Sequence, residues 1–210
     1  MSSIGKEPFE PVPWSDAPLP RLAGPFAPNA ALALAEHLRW PGILGPESIA
    51  SSDNQPATLY VSSAVGAVFQ LHAQDPSLPA SPVFFTPAAV DGWRGAPGAH
   101  PLFAWCCQQA EARNASAMER CGRPLGLRIH SSTLLVADAY FGIFAVNVSA
   151  AARQLWSKTA PPPVWLVQPQ AASPPLYFVN DLDVDPATNQ ARRGGTTAYY
   201  HYIMHACGCA

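Results

Sequence analysis

The chain has 210 residues, of which 49% are hydrophobic and 12% are charged, and its formal net charge at neutral pH is −2. This length and hydrophobic content are sufficient for a domain with a buried core. The 24 prolines favour loops and strands over long helices. The sequence contains no block of basic residues, so nothing in its charge indicates binding to nucleic acid or to an anionic membrane.

Prolines recur throughout residues 1–28, spaced too closely for a helix or a central strand. We therefore predict an extended, Pro-rich lead. The lead lacks the apolar core of a signal peptide, and the sequence has no run of ~18 apolar residues that would span a bilayer. The sequence thus predicts no transmembrane segment.

The first predicted β unit covers residues 45–71. G-P-E-S-I-A at 45–50 precedes two apolar runs within 59–71, and small residues that include Gly66 separate the runs. Apolar runs separated by turn residues are typical of a β-hairpin. Residues 72–120 follow and are rich in Pro and Ala, with a weak strand signal at 83–86, so we predict that they are mostly loop.

The clearest signal lies in residues 121–147, which repeat the same plan. C-G-R-P-L-G leads into apolar runs at 134–137 and 143–146, and turn residues at 138–142 lie between them. We expect Asp138 in this turn to accept hydrogen bonds from nearby backbone N–H groups.

A third copy of the lead-in, F-V-N-D-L-D-V-D-P, occupies residues 178–186, and no recognisable hairpin follows it. Repeated antiparallel units that cannot bury their own faces indicate radial packing, as in a β-propeller.

Four motifs carry a resemblance to a known family. L-G-P-E-S-I-A, C-G-R-P-L-G-L, V-A-D-A-Y-F-G-I-F-A-V-N and F-V-N-D-L-D-V-D resemble motifs of the strictosidine synthase-like family and occur in that family's order. Paraoxonases and gluconolactonases are more distant relatives. The resemblance implies an all-β, six-bladed propeller, of which residues 29–189 would form about three blades. Residues 190–210 depart from the family pattern and are interpreted as a divergent tail.

A partial propeller cannot pack its last blade against its first. We therefore expect an open arc that comes from a truncated protein, with an uncovered apolar face on each end blade. Such faces favour aggregation or self-association, and a chain of this kind is expected to be inactive alone.

The resemblance also implies a metal site. Glu47 and Asn180 match residues that hold a metal at the top of the central channel in paraoxonases and gluconolactonases, and calcium suits ligands that are oxygens. The sequence leaves two alternatives open. Glu47 could instead cap a turn through backbone N–H groups, and Asn180 could bond to the backbone of the next blade.

Members of the family close a loop with a disulfide just before C-G-R-P-L-G. The resemblance therefore implies that Cys121 pairs with Cys107, or with Cys106 in its place, in an oxidising compartment; reduced thiols in a cytosolic chain are the alternative.

Sequons at Asn114 and Asn147 would suit glycosylation in the secretory pathway or endomembrane system, where family members occur, and unmodified surface Asn is the alternative.

The sequence contains no G-x-S-x-G elbow, P-loop, G-x-G-x-x-G or H-E-x-x-H motif, so no catalytic residue is assigned. The resemblance implies a small-molecule substrate. One hypothesis is arylesterase-like or lactonase-like hydrolysis, in which calcium polarises the carbonyl group. A second is strictosidine synthase-type condensation of an amine with an aldehyde, by a glutamate from the family's C-terminal half. The third is a non-catalytic fragment.

Overall fold

The structure is a computed structural model that describes residues 38–52, 55–149, 163–169, 178–185, 190–194 and 201–203, with six single positions between 23 and 35. The chain divides into two units, residues 1–37 and residues 38–210. All elements named below belong to the second unit. The predicted extended lead at residues 1–28 lies almost entirely outside the described residues.

The first sheet contains four antiparallel strands in the order β1-β2-β3-β4. They are β1 (Ile49–Ser52), β2 (Gln55–Ser63), β3 (Ala67–His72) and β4 (Ser81–Phe85). The turn between β2 and β3 contains Gly66, whose φ of 81° is accessible to glycine and strained for other residues. The hairpin predicted within residues 59–71 is therefore confirmed.

The second sheet repeats this arrangement with β5 (Pro124–His130), β6 (Thr133–Asp138), β7 (Gly142–Asn147) and β8 (Val164–Val167). Alternating apolar residues of β6 and β7 point to the two faces of the sheet, which explains why both strands are buried on both sides. The hairpin predicted over residues 134–146 is confirmed.

A third sheet has the order β11-β10-β9, with β9 (Asp181–Asp185), β10 (Gln190–Gly194) and β11 (His201–Ile203). The prediction that no hairpin follows residues 178–186 was wrong, because β10 pairs antiparallel with both β9 and β11. Strands pair through backbone N–H and C=O groups, so a segment can join a sheet although its side chains depart from the family pattern.

Residues 72–120 are not mostly loop as predicted, because they contain three helices. These are α1 (Thr86–Asp91), α2 (Phe103–Glu111) and α3 (Met118–Cys121), with two short 3-10 turns. Pro87 and Pro97 of this segment lie at the starts of α1 and of a 3-10 turn, where the missing N–H has no intrahelical partner to lose. The proline content of the segment therefore did not exclude helices.

The first and second sheets pack face to face. Phe84 and Phe144 lie at the centre of this interface, with ring centroids 5.3 Å apart. The other face of the second sheet buries Leu182 of the third sheet and the neighbouring Val179. Successive antiparallel sheets packed in this way are consistent with a partial β-propeller in a mostly β fold. The number of blades stays a prediction.

The opposite face of the first sheet is covered by residues 40–44 and by α2. Phe103 of α2 contacts Phe85 and Phe69, with ring centroids 5.1 and 6.4 Å apart. The expectation that the first blade leaves an apolar face uncovered is therefore not met where these residues pack.

Substitution of Gly66 by alanine should destabilise the protein strongly. An added Cβ would lie 1.8 Å from the carbonyl oxygen of Cys121, so the backbone that leads into β5 must move. Gly92 is a matched control, because its φ is also positive at 72° but a Cβ there has no neighbour within 4 Å. We expect Gly66→Ala to lower the free energy of unfolding by at least about 2 kcal/mol more than Gly92→Ala in urea denaturation. Equal losses would contradict the close packing at Gly66.

Candidate functional site

The candidate site lies where the first strands of the three sheets begin. β5 contacts both β1 and β9. The backbone N–H of Leu127 donates to Ser48 Oγ at 3.1 Å, and a Cβ at Gly126 would lie 2.7 Å from the Cα of Asp181. These contacts bring together the segments that carry Glu47, Arg123 and Asn180.

A buried carboxylate, Asp138, organises this region. Its Oδ1 accepts hydrogen bonds from the backbone N–H groups of Tyr140 and Phe141 at 2.9 and 3.1 Å. Its Oδ2 accepts from the backbone N–H of Arg123 and from the hydroxyl of Thr86, both at 2.8 Å. Burial raises the pKa of the Asp138 carboxyl above its ordinary value, and these four donors oppose the rise by stabilising the ionised form. Asp138 therefore binds its own turn, as predicted, and also joins two sheets.

Arg123 immediately precedes β5, the first strand of the second sheet, and its side chain forms a salt bridge with Glu47. The Arg123 Nη2 atom lies 2.5 Å from Glu47 Oε1, and the two side chains are 13% and 48% exposed. The guanidinium group also packs on Gly45, where an added Cβ would lie 3.4 Å from Nη1. Within the described part of the chain, Nη1 is buried and has no hydrogen-bond partner.

The two predicted metal ligands reach the same region. Glu47 pairs with Arg123, a contact that sequence reasoning did not identify, and Asn180 is exposed just before β9. Both side chains offer oxygen donors of the type that calcium binds, but calcium takes six to eight ligands. No group of three or more His, Cys, Asp or Glu side chains placed to hold a metal occurs among the described residues. The two residues could therefore contribute part of a calcium site.

Two acidic side chains beside Asn180 form salt bridges with an arginine. Arg128 of β5 lies 3.0 Å from Asp181 and 3.5 Å from Asp183. All three side chains are at least 38% exposed, so solvent weakens the pairs. They align β5 with β9 and reduce the negative charge beside Asn180.

The disulfide joins Cys121 to Cys106, with the Cα atoms 5.8 Å apart. The resemblance implied either Cys107 or Cys106 as the partner of Cys121, and Cys107 is a free thiol. Successive residues of a helix point about 100° apart, so only one of the adjacent cysteines of α2 can face Cys121. Cys106 is the buried one. Burial, together with the charge of Glu111, raises the pKa of the Cys107 thiol.

One Asp–His pair lies in the helical segment. His100 Nε2 lies 2.7 Å from Asp91 Oδ2, while His100 Nδ1 accepts a hydrogen bond from the backbone N–H of Leu102 at 3.2 Å. Both ring nitrogens are engaged, and the ring is buried against Phe85 and Trp93. His100 therefore joins the end of α1 to the start of α2.

The helices also form a cleft of about 500 Å³ beside this region. Its walls come from α2 and α3 on one side and from Leu44 and Gly45 on the other, and Arg123 contributes to its lining. The cleft was not predicted from the sequence, because residues 72–120 were expected to be mostly loop where these helices lie.

Both sequon asparagines are exposed, Asn114 after α2 and Asn147 at the end of β7. The side chain of Asn114 accepts a hydrogen bond from the Ser116 hydroxyl at 2.7 Å. Among the described residues, no helix has the length and apolar character needed to cross a membrane.

Comparison with known proteins identifies the family. A family model described as strictosidine synthase-like, N-terminal, matches residues 24–71, which include Glu47 and the first hairpin. Adipocyte plasma membrane-associated protein of Danio rerio is 29% identical over 209 residues, and the match covers 96% of this chain. Protein strictosidine synthase-like 10 of Arabidopsis thaliana is 32% identical over 154 residues, and the match covers 69% of this chain. The chain belongs to the strictosidine synthase-like family.

The matches cover only part of these strictosidine synthase-like relatives. The aligned residues amount to 41% of the Danio rerio protein and 37% of the Arabidopsis thaliana protein. In adipocyte plasma membrane-associated protein of Gallus gallus, which is 30% identical over 179 residues, they amount to 34%. The chain thus spans less than half the length of the relatives that it matches.

The disulfide predicts a specific peptide map. Non-reducing digestion of protein made in an oxidising compartment should yield a peptide pair that joins Cys106 to Cys121. Cys107→Ser should retain this pair, whereas Cys106→Ser should lose it and lower the free energy of unfolding by roughly 3 kcal/mol, the value for a closed loop of this size. A Cys107–Cys121 pair in the unmodified protein would refute this assignment.

Proposed function

We propose that this chain supplies part of a small-molecule site in a strictosidine synthase-like propeller that hydrolyses esters or lactones in an arylesterase-like reaction. Glu47 and Asn180 are proposed as two ligands of a calcium ion. When bound, calcium would polarise the substrate carbonyl and stabilise the developing oxyanion. The observation that carries the proposal is that Glu47 and Asn180, which are distant in sequence, lie just before β1 and β9, two strands that both contact β5, and that both side chains expose oxygen atoms.

Arg123 gives Glu47 a defined orientation. The backbone of Arg123 is fixed by Asp138 and its guanidinium by packing on Gly45, so the Glu47 carboxylate is held against a nearly immobile partner. A calcium ion on Glu47 would share this carboxylate with Arg123, and its double charge about 4–5 Å from the guanidinium is repelled by roughly 7–8 kcal/mol at an effective dielectric constant of 20. We therefore expect calcium binding to be weak unless further ligands complete the site.

The same proposal includes the cellular location. Two of the relatives cited above are named as plasma membrane-associated proteins, and a disulfide persists in oxidising compartments. We propose that this chain resides in the secretory pathway or endomembrane system and carries glycans at Asn114 and Asn147.

Substitutions at the two proposed ligands test the proposed activity. In protein extended to the length of its relatives, Glu47→Gln and Asn180→Ala should each lower kcat/KM for phenyl acetate and a γ-lactone by about 100-fold, since the first removes the negative charge of a ligand and the second removes a ligand oxygen. Chelation of calcium should have the same effect. Asp75→Asn is the matched control, because Asp75 is also an exposed carboxylate but accepts hydrogen bonds from Ser77 in the β3–β4 loop. Full activity of Glu47→Gln in excess chelator would overturn the proposal.

We also propose that the 210-residue chain self-associates, because two large apolar side chains remain exposed near the site, Ile49 at 63% and Phe178 at 51%. Light scattering should give a mass well above 22.3 kDa. Ile49→Thr keeps a strand-forming residue and should shift the mass towards the monomer, whereas Leu78→Thr in the β3–β4 loop should not. A monodisperse monomer would contradict self-association.

A further inference from the structure

A buried histidine joins two helices in the segment between the first and second sheets. The side chain of His100 is 4% exposed, and its Nε2 atom lies 2.7 Å from Asp91 Oδ2 at the end of α1. Its Nδ1 atom accepts a hydrogen bond from the backbone N–H of Leu102, just before α2, at 3.2 Å. The ring also packs against Phe85 and Trp93, with ring centroids 5.4 and 5.3 Å apart. One imidazole therefore holds both ends of the loop between α1 and α2.

The two hydrogen bonds of the ring assign its protonation state. A ring nitrogen that accepts an N–H group carries no proton itself. Nδ1 is therefore unprotonated, and Nε2 carries the proton that it donates to Asp91. On this hydrogen-bond assignment His100 is the neutral imidazole.

Protonation of His100 removes its bond to Leu102. A proton added at Nδ1 converts this nitrogen from an acceptor into a donor, and two N–H groups then face each other across the 3.2 Å contact. A cation in a ring site removed from water is unfavourable, and so is a backbone N–H that loses its acceptor. Both costs fall when the ring and the Leu102 amide move apart and admit water.

The charges around His100 oppose this change only weakly. Asp91 would form an ion pair with the imidazolium, but its side chain is 52% exposed, so solvent weakens the attraction. β4 and the 3-10 turn just before His100 contain no ionisable side chain. Arg94 in the loop is exposed, and Cys107 and Glu111 of α2 have no hydrogen bond or ion pair with His100 in the described part of the chain.

The stretch that the Leu102 bond holds ends at the disulfide. The carbonyl oxygen of Leu102 accepts the N–H of Cys106 at 2.9 Å, so Leu102 contributes to the first turn of α2. Cys106 is bonded in turn to Cys121. Loss of the Leu102 bond would therefore loosen residues 92–105 and leave the far end of the helical segment in place.

We propose that His100 is a pH-sensitive switch, which holds the start of α2 while neutral and releases it when protonated in mildly acidic surroundings, at about pH 5–6. The two states differ in the Leu102 hydrogen bond and in the order of residues 92–105. The switch requires neither calcium nor hydrolysis, so it can fail or succeed independently of the proposed function.

Hydrogen exchange followed by mass spectrometry tests the switch in the 210-residue chain. Protection factors, corrected for the intrinsic effect of pH on exchange, are compared between about pH 7.5 and about pH 5.5. Residues 92–105 should lose protection by at least about tenfold on acidification, because the start of α2 is released. Residues 112–122 lie beyond the disulfide and should keep their protection, including that of the Gly122 N–H, which is bonded to Met118.

Substitutions assign the response to one of the 6 histidines. In His100→Asn the side-chain oxygen can still accept an N–H two residues further on, and no charge is gained in acid. Residues 92–105 should then have the same protection at both pH values. His130→Asn is the matched control, because His130 is a partly exposed histidine at the end of β5, and this variant should respond to pH as the unmodified chain does.

The proposal is wrong if residues 92–105 of the unmodified chain keep their protection in acid, or if His100→Asn loses it to the same extent. An equal loss in residues 112–122 would also overturn it, because acid would then act on the whole segment. If His100→Asn does not fold, His100→Gln takes its place. Glutamine keeps a donor for Asp91 and gains no charge, so its protection should again be independent of pH.

Discussion

The structure around the candidate site depends on one buried carboxylate. Asp138 joins the end of the first sheet, through Thr86, to the start of the second, through Arg123, and to its own turn. A charge removed from water is strongly unfavourable unless it is paired or hydrogen-bonded, and here four donors surround two oxygens. The position of Asp138 therefore fixes the positions of its donors, and with them the backbone of Arg123.

Glycines allow the segments around Asp138 to approach so closely. A Cβ at Gly122 would lie 2.6 Å from both Asp138 Oδ2 and the Cβ of Thr86. The helical segment between the two sheets begins at Thr86 and ends at Cys121, and both ends lie at this junction. Hydrogen bonding at one end and the disulfide at the other hold the segment in place, and the cleft that it encloses is held with it.

The Glu47–Arg123 pair links this support to the chemistry of the site. Arg123 is mostly buried, so its charge depends on Glu47 as a counter-ion, while the exposed half of Glu47 faces solvent. Glu47 is the counter-ion of Arg123 in this structure, and we propose it as a metal ligand as well. A single carboxylate offers too little to hold calcium against a neighbouring guanidinium, so the proposed ion needs further oxygen ligands.

Local sequence determined the two hairpins and the turn role of Asp138, because alternation of apolar residues and turn chemistry act over a few residues. The order of the motifs determined the family.

The tertiary structure decided the contacts that join distant segments: Glu47 meets Arg123 across 76 positions, and Thr86 meets Asp138 across 52. It also selected Cys106 over Cys107, because only packing shows which side of α2 faces Cys121. Helix formation in residues 86–121 and the pairing of β10 with β9 and β11 escaped prediction for the same reason. Their stability comes from buried faces and backbone pairing with other elements, and a linear pattern does not record such partners.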